Sequence, residues 1–591
     1  MPSDLHVIQG NTAHAELTDT KAFLDTLQSI RDSNVLSLPE EQRTVKDLFR
    51  WYEPLEISRA PGRMDVMGGI ADYSGALVLQ MPIAEACHVA VQRQVHQFKA
   101  LQGSAKVGHI TVVSFNAETC HRRSPVFSAP LSDLFPNGQP ISYEAANTYF
   151  KANDSMSWAS YVVGCLLVLV REEGLHVQEL AEESGGGSIA IVVSSQVPEG
   201  KGVSSSAAVE VATMMALTSA FNLQIEGKRV AILSQKVENL VVGAPCGIMD
   251  QMASALGEEG RLLALLCQPA EVQGCVNIPE SIKIWGIDSG IRHSVGGSDY
   301  GSVRVGAFMG LRIASEVEHE KKGLQGEVQP LRAGYLANLS PTEFQESYCS
   351  VLPESLTGAQ FKAQYGHHFD TVTHIVDDNR YAVRLPATHP VYDHHRVRTF
   401  RQLLLLTQLC HGIPVAAALA IPQLTTTAAA TIGTHDLTQQ TTSCTSETYG
   451  EGDVGEDQAC EALSLLGELM FGTHQSYSAC GLGSSGTDRL VQLVRDEMKA
   501  ARSKGEQPVV WGAKITGGGS GGTVCILGSA VGGAEAVQRI ASIYARESHS
   551  PHDDANDDVS SSFNSCLSHP KIFEGSSMGA IKFGALKVCF N

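Results

Sequence analysis

The sequence predicts an α+β protein of at least two packed lobes, and three observations carry that prediction. At 591 residues the chain exceeds the length, about 250–300 residues, at which a single hydrophobic core stops growing. The β-branched stretch Ile189 to Val193 runs into a glycine- and serine-rich loop and then into an apolar segment with helical spacing. After Ile287 the pattern turns largely helical, with a strand-like run returning only near Val524.

Taken in order, residues 12–50 are polar with Phe23, Leu27 and Ile30 at helical spacing, which predicts a helical extension over 1–50. Ile57 leads into Ala60-Pro-Gly, and Ala76 to Ile83 forms a second apolar run after Tyr73-Ser-Gly, a glycine-rich, hairpin-like corner. Residues 146–173 read as helical and Ser204 to Phe221 as a helix with Ala208, Ala212, Met215 and Ser219 on its spacing. Leu262 to Leu266 and Ile282 to Ile287 read as strands, and Phe400 to Cys410, Ala462 to Phe471 and Thr487 to Lys499 as helices. Two polar stretches, Thr425 to Asp457 and Glu547 to Pro570, read as an insertion and a linker, which leaves 571–591 as a C-terminal tail.

Composition excludes several classes of function. The 63 acidic and 43 basic side chains give a formal charge of −20, and no basic block is long enough to track a nucleic-acid backbone. The 14 cysteines show no paired C-x-x-C spacing, which favours reduced thiols in a cytoplasmic protein over a disulfide frame or a zinc site. The longest apolar run, Tyr161 to Val170, is too short to span a bilayer, and Met1 to Leu17 has no secretory layout. The histidines at 367, 368, 374, 389, 394 and 395 fit no standard metal spacing and read as surface and core residues.

The chemistry begins at Pro198-Glu-Gly-Lys-Gly-Val-Ser-Ser-Ser-Ala-Ala, between a strand and a helix. Free N–H groups and the positive helix end converge where Gly200 and Gly202 allow close approach, so an anion such as a triphosphate fits. Ser204, Ser205 and Ser206 add hydroxyls for phosphate oxygens or magnesium, although a helix start merely capped by serines is a rival reading. The loop lacks the G-x-x-x-x-G-K-[ST] pattern of P-loop proteins. A literal G-x-G-x-x-G at Gly481, Gly483 and Gly486 follows a helix and reads as a helix-to-helix connection, not a dinucleotide site. A second glycine run, Ile515-Thr-Gly-Gly-Gly-Ser-Gly-Gly-Thr, would let backbone press against a ligand or another chain segment, or be only a flexible turn.

These two runs together with Ala60-Pro-Gly-Arg-Met-Asp-Val-Met-Gly-Gly make a three-part pattern that resembles the GHMP kinases, over roughly residues 50–530. Asp72-Tyr-Ser-Gly, Glu238 and Pro245-Cys-Gly-Ile-Met-Asp-Gln are similar to the galactokinase branch. The stretch Gly62 to Gly75, Tyr477-Ser-Ala-Cys-Gly-Leu-Gly and the terminal Ile572-Phe-Glu-Gly-Ser-Ser resemble plant-type L-arabinokinases. Those proteins often carry a glycosyltransferase-like amino-terminal region, for which this chain is too short ahead of Ala60. The resemblance implies an ATP-binding lobe over 51–275 with a mixed sheet, a helix-rich, ferredoxin-like lobe over 276–545, and a Mg²⁺- and ATP-dependent sugar 1-kinase. It further implies Asp250 as base with Arg63 beside it to stabilise developing negative charge, nucleotide contacts at Pro198, Gly200, Gly202 and Ser204–Ser206, and magnesium at Glu238 and Ser206. Sugar contacts would come from Gly69, Ile70, Asp72, Gly247 and Tyr300; without the resemblance, a turn aspartate and a surface tyrosine would be the plainer readings of two of them.

One departure from the family bears on the acceptor. Galactokinases have Gly-Glu-His-Thr-Asp where this chain has Gly68-Gly-Ile-Ala-Asp, so two polar contacts toward the hydroxymethyl group of galactose are gone. L-arabinopyranose has the same ring configuration without that group, and an unpartnered buried polar group would cost about 1–3 kcal/mol, so Gly69 and Ile70 suit the smaller sugar. The alternatives are galactokinase or a broader sugar 1-kinase, and a catalytically silent sugar sensor on the same fold. Expected partners are thus the sugar and MgATP, with neither nucleic acid nor membrane.

Overall fold

The computed structural model describes residues 5–94, 108–115, 123–176, 187–291, 298–410, 454–548 and 570–590. Its strands are β1 (Leu5–Gln9), β2 (Leu55–Met67), β3 (Leu77–Gln94), β4 (His109–Ser114), β5 (Val126–Pro130), β6 (Ser188–Ser195), β7 (Arg261–Leu266), β8 (Glu271–Asn277), β9 (Ile282–Asp288), β10 (Ser355–Thr357), β11 (Arg380–Ala382), β12 (Val510–Ile515), β13 (Thr523–Ser529), β14 (Ile572–Glu574) and β15 (Ala585–Phe590).

The first lobe is built on a nine-stranded sheet in the order β1-β15-β2-β3-β6-β4-β5, with β7 and β8 added beside β3. Strand β3 is long enough to serve two neighbours: Leu77–Gln80 pairs β7, and Cys87–Gln94 pairs β6. All pairings are antiparallel except β4 with β6, so the sheet is mixed. The helix Ser205–Ala220 is apolar almost all round, as a helix enclosed by protein must be, and packs against β2 and β3. The second lobe has the antiparallel sheet β12-β13-β9-β14 flanked by the long helices Val454–Ala479, Ser485–Ser503 and Gly533–Ser548. This is the two-lobed α+β arrangement expected from the sequence.

Several elements differ from expectation. The span 146–173 is two helices, Tyr143–Lys151 and Ser160–Glu173, because Asn153 Oδ1 accepts from the backbone and hydroxyl of Ser155 and turns the chain out of the helix. The extension over 1–50 is helical at Thr18–Asp32 and Glu40–Leu48, but it begins with β1. The supposed tail at 571–591 is built into both lobes: β14 pairs β9, and β15 lies between β1 and β2. Its residues Phe573, Leu586, Val588 and Phe590 are buried, and that burial is what recruits the segment into the sheets. Most of the insertion at 425–457 lies outside the described residues, and the helix from Val454 starts inside its last positions. Most of the linker at 546–570 also lies outside them. Among the described residues no helix is long and apolar enough to cross a membrane.

Candidate active site

The glycine–serine loop after β6 is wound by left-handed backbone at Gly200 (φ 68°), Gly202 (φ 71°) and Ser204 (φ 59°). Glycine takes this conformation freely, whereas a serine there stores about 1–3 kcal/mol of strain, which its surroundings must hold. Ser204 is the N-cap of the helix Ser205–Ala220, yet its side chain makes no capping bond. Its Oγ donates instead to Asp250 Oδ2 at 2.5 Å. The rival reading of a serine-capped helix start therefore fails at this residue.

The second glycine run has a chain segment as its neighbour. Gly517, Gly519, Ser520, Gly521 and Gly522 all have positive φ, and a Cβ on Gly522 would fall 2.8 Å from the Lys201 carbonyl oxygen. Thr523 Oγ1 donates to that same carbonyl at 2.8 Å, and Lys201 Nζ pairs with Asp288 at the end of β9 at 2.8 Å. The second lobe thus braces the back of the loop, and Gly518 reaches the cleft in front of it.

Arg63 on β2 and Asp250 in the first turn of the helix Met249–Leu256 meet in a two-pronged ion pair. Nε donates to Oδ1 and Nη2 to Oδ2, both at 2.9 Å, while Nη1 donates to the Gly202 carbonyl at 2.7 Å. The guanidinium is 2% exposed and the carboxylate 20%, so the acidic end faces the cleft. Arg63 therefore ties Asp250 to the loop, and the forked geometry fixes the plane of the carboxylate.

Beside this pair lies the corner between β2 and β3. Asp72 is 4% exposed, and burial first, then the negative charge of Asp250, pushes its carboxyl up to about 7, with Arg304 opposing the shift. A Cβ on Gly247 would fall 1.6 Å from Asp72 Oδ2, so the glycine is what lets the carboxylate lie there. Tyr300 is buried and packs edge-to-face on Tyr73 at 6.0 Å. Arg304, one turn after Tyr300 in the helix Ser298–Lys321, forms a two-pronged pair with Asp370 and donates to the Cys246 carbonyl at 3.1 Å.

On the other side, Glu238 sits in a π-helical turn, Val237–Val242, a distortion common at functional sites. It is buried and accepts from Gln251 Nε2 at 2.6 Å; burial first, then the charge on Asp250, pushes it up to about 7, while the Ser206 hydroxyl bonds to it and opposes that shift. Glu210 lies behind it, fully buried, with Oε2 accepting from the same Gln251 Nε2 at 3.2 Å.

A cleft of about 640 Å³, counting its open mouth, collects these groups: Arg63, Gly69, Ile70, Asp72, Gly200, Gly202, Ser204, Ser205, Ser206, Glu238, Gly247, Asp250 and Tyr300 all line it. Of the residues singled out from sequence, Pro198 alone does not line it. Pro198 stands at the outer start of the loop, where Glu199 pairs away with Arg123 at 2.6 Å. Ile70 both lines the cleft and belongs to the core cluster of Tyr73, Tyr300 and Tyr477.

Local sequence pattern gives no role to Glu210, Gln251 or Arg304. A glutamate in a helix otherwise apolar, four positions after Ser206, and an arginine one turn after Tyr300 were the available signals. Gly481 and Gly483 lie between the helices Val454–Ala479 and Ser485–Ser503, as the helix-to-helix reading expects, whereas Gly486 already belongs to the second helix. His394 Nδ1 accepts from the Leu77 backbone at 2.9 Å, and among the described residues no group of three or more His, Cys, Asp or Glu converges as a metal site.

Residues 160–258 match the GHMP kinases N terminal domain, and residues 48–93 match the galactokinase galactose-binding signature. L-arabinokinase of Arabidopsis thaliana is 41% identical over 99% of this chain. Over residues 160–258 the chain is thus similar to the GHMP kinases. It spans 52% of the length of that L-arabinokinase. Galactokinase of Chloroflexus aurantiacus is 28% identical over 48% of this chain and 59% of its own length. The crystal structure of Lactococcus lactis galactokinase complexed with galactose shares the fold, with a TM-score of 0.57 at 17% identity, covering 92% of this chain and 99% of that one. The galactose-binding signature contains the corner Gly69–Asp72, and the N-terminal domain model contains the glycine–serine loop, Glu238 and Asp250.

Proposed function

We propose that this protein is a kinase of the GHMP type that transfers the γ-phosphoryl group of ATP to the anomeric hydroxyl of L-arabinose, giving L-arabinose 1-phosphate and ADP. The observation that carries the reading is the position of Asp250, held by Arg63 and Ser204 between the glycine–serine loop and the corner Gly69–Asp72. A hydroxyl resting on that corner lies next to Asp250, which takes its proton as the oxygen attacks phosphorus and the bond to the ADP oxygen breaks. The loop's N–H groups and Ser205 cradle the phosphates, with Arg63 stabilising the charge that develops.

Glu238 and Ser206 offer two oxygen donors beside the loop, which fits a magnesium ion drawing its other ligands from phosphate and water. The ion would neutralise charge on the phosphates. Asp72, Gly247 and Tyr300 orient the ring hydroxyls, and Gly69 with Ile70 closes the place a hydroxymethyl group would need. Identity of 41% with an L-arabinokinase supports the pentose as acceptor. Nine of the cysteines, among them Cys87, Cys165 and Cys246, are free thiols, which suits a reducing cytoplasm.

The test is phosphate transfer from ATP to L-arabinose, D-galactose and D-glucuronate in parallel, with the product position read by phosphorus NMR. L-arabinose 1-phosphate should form most efficiently. Better use of galactose refutes the choice of acceptor and leaves the kinase standing. No transfer to any of the three, with melting temperature raised by both sugar and nucleotide, makes the protein a sensor.

A further inference from the structure

Gly69 has ordinary backbone torsions, so it is not glycine for conformational freedom. It is glycine for space. A Cβ built there would fall 1.1 Å from the hydroxyl oxygen of Tyr477 and 2.4 Å from Tyr477 Cζ, so residue 69 and Tyr477 compete for one position. Tyr477 comes from the last turn of the helix Val454–Ala479 and is completely buried.

Its hydroxyl does two things there. It accepts from the Ile70 N–H at 2.8 Å and donates to the Gly517 carbonyl at 2.9 Å, joining the acceptor corner to the glycine run behind the loop. The ring is itself held in place: Lys514 Nζ lies 5.5 Å from its centroid and His389 stacks edge-to-face at 5.3 Å. Lys514 donates to Asp65 Oδ2 at 2.6 Å, and Asp65 Oδ1 accepts from the Gly69 N–H at 3.1 Å and from Gln80 Nε2 at 2.7 Å. Both backbone ends of the Gly69–Ile70 step are thus gripped by side chains that never reach the cleft.

We propose that Tyr477 is the specificity-positioning residue of the acceptor corner: its hydroxyl fills the place of a side chain at 69 and pins Ile70 against the cleft. This rests on the sugar-kinase reading above. With its N–H anchored, Ile70 cannot swing away to admit a hydroxymethyl group; released, it can. The exclusion is reciprocal, because any side chain at 69 requires the tyrosine to leave.

Three variants test this in the 591-residue chain, using calorimetric titration of L-arabinose, D-galactose and ADP together with melting temperature. Tyr477→Phe keeps the ring and removes only the hydroxyl. It should bind L-arabinose about tenfold more weakly, leave ADP affinity within about twofold, and lose roughly threefold or more of its preference for L-arabinose over D-galactose. Gly69→Ala should melt well below the parent protein, and adding Tyr477→Leu should recover part of that loss, a non-additive pair. The proposal is overturned if Tyr477→Phe lowers only the melting temperature with both sugar affinities unchanged, or if Gly69→Ala is tolerated with Tyr477 in place. A parent protein that binds neither sugar refutes the functional reading itself and this inference with it; parent binding with an unmoved preference in Tyr477→Phe refutes the inference alone.

Discussion

Replacing Asp72 by asparagine should change the pH dependence of stability in a calculable direction. The folded carboxyl titrates near 7 against 3.8 for the ordinary group, because it is buried and faces Asp250. Below about 3.8 both folded and unfolded chains hold the proton and Asp72 costs nothing. As pH rises the unfolded chain gives up its proton first, so stability falls, and the fall is complete once the folded carboxyl ionises near 7. Between pH 5 and that point the ligand-free protein should lose about 3 kcal/mol through this group, at about 1.4 kcal/mol per pH unit. Asn has no proton to lose and keeps the oxygen that accepts from the Tyr73 N–H at 2.8 Å. Urea unfolding of both proteins at pH 5, 6, 7 and 8, followed by tryptophan fluorescence, should show Asp72→Asn gaining on the parent by that amount from pH 5 to pH 8. Sugar affinity of the parent should rise over the same range, as the ionised carboxylate becomes a better acceptor for ring hydroxyls, and the variant should show no such rise. A stability difference that stays flat with pH refutes the argument.

Asp250→Asn should reduce turnover by about 10³ or more, in the range expected for losing a general base, with only a modest loss of nucleotide affinity; near-normal turnover refutes its role. Gly247→Ala forces a methyl group to within 1.6 Å of Asp72 Oδ2, so the carboxylate must move. The sugar KM should rise by about tenfold or more with the ATP KM little changed, and an unchanged sugar KM refutes the placement of Asp72 in the acceptor corner.

What the sequence made legible and what it hid divide along a physical line. The glycine–serine loop was readable because left-handed backbone at Gly200 and Gly202 demands a residue type, and the demand is written at the position itself. The second run was readable as close-packed backbone for the same reason, although its neighbour, Lys201, could not be named from local pattern. Strands β8 and β12 escaped notice because Gly274 and Gly512 interrupt short runs whose alternation is too brief to register. The three-residue strand β14 and the closing strand β15 exist only through partners hundreds of positions away, and no window around residues 571–591 contains those partners. Gly69 is the sharpest case. Beside Gly68, which has φ 110° and needs glycine for its backbone, it looks like more of the same flexible turn. Its actual cause is the hydroxyl of Tyr477, which bonds to the next residue, Ile70, across 407 positions of sequence. A glycine required by space and a glycine required by torsion are the same letter, and only the packed structure separates them.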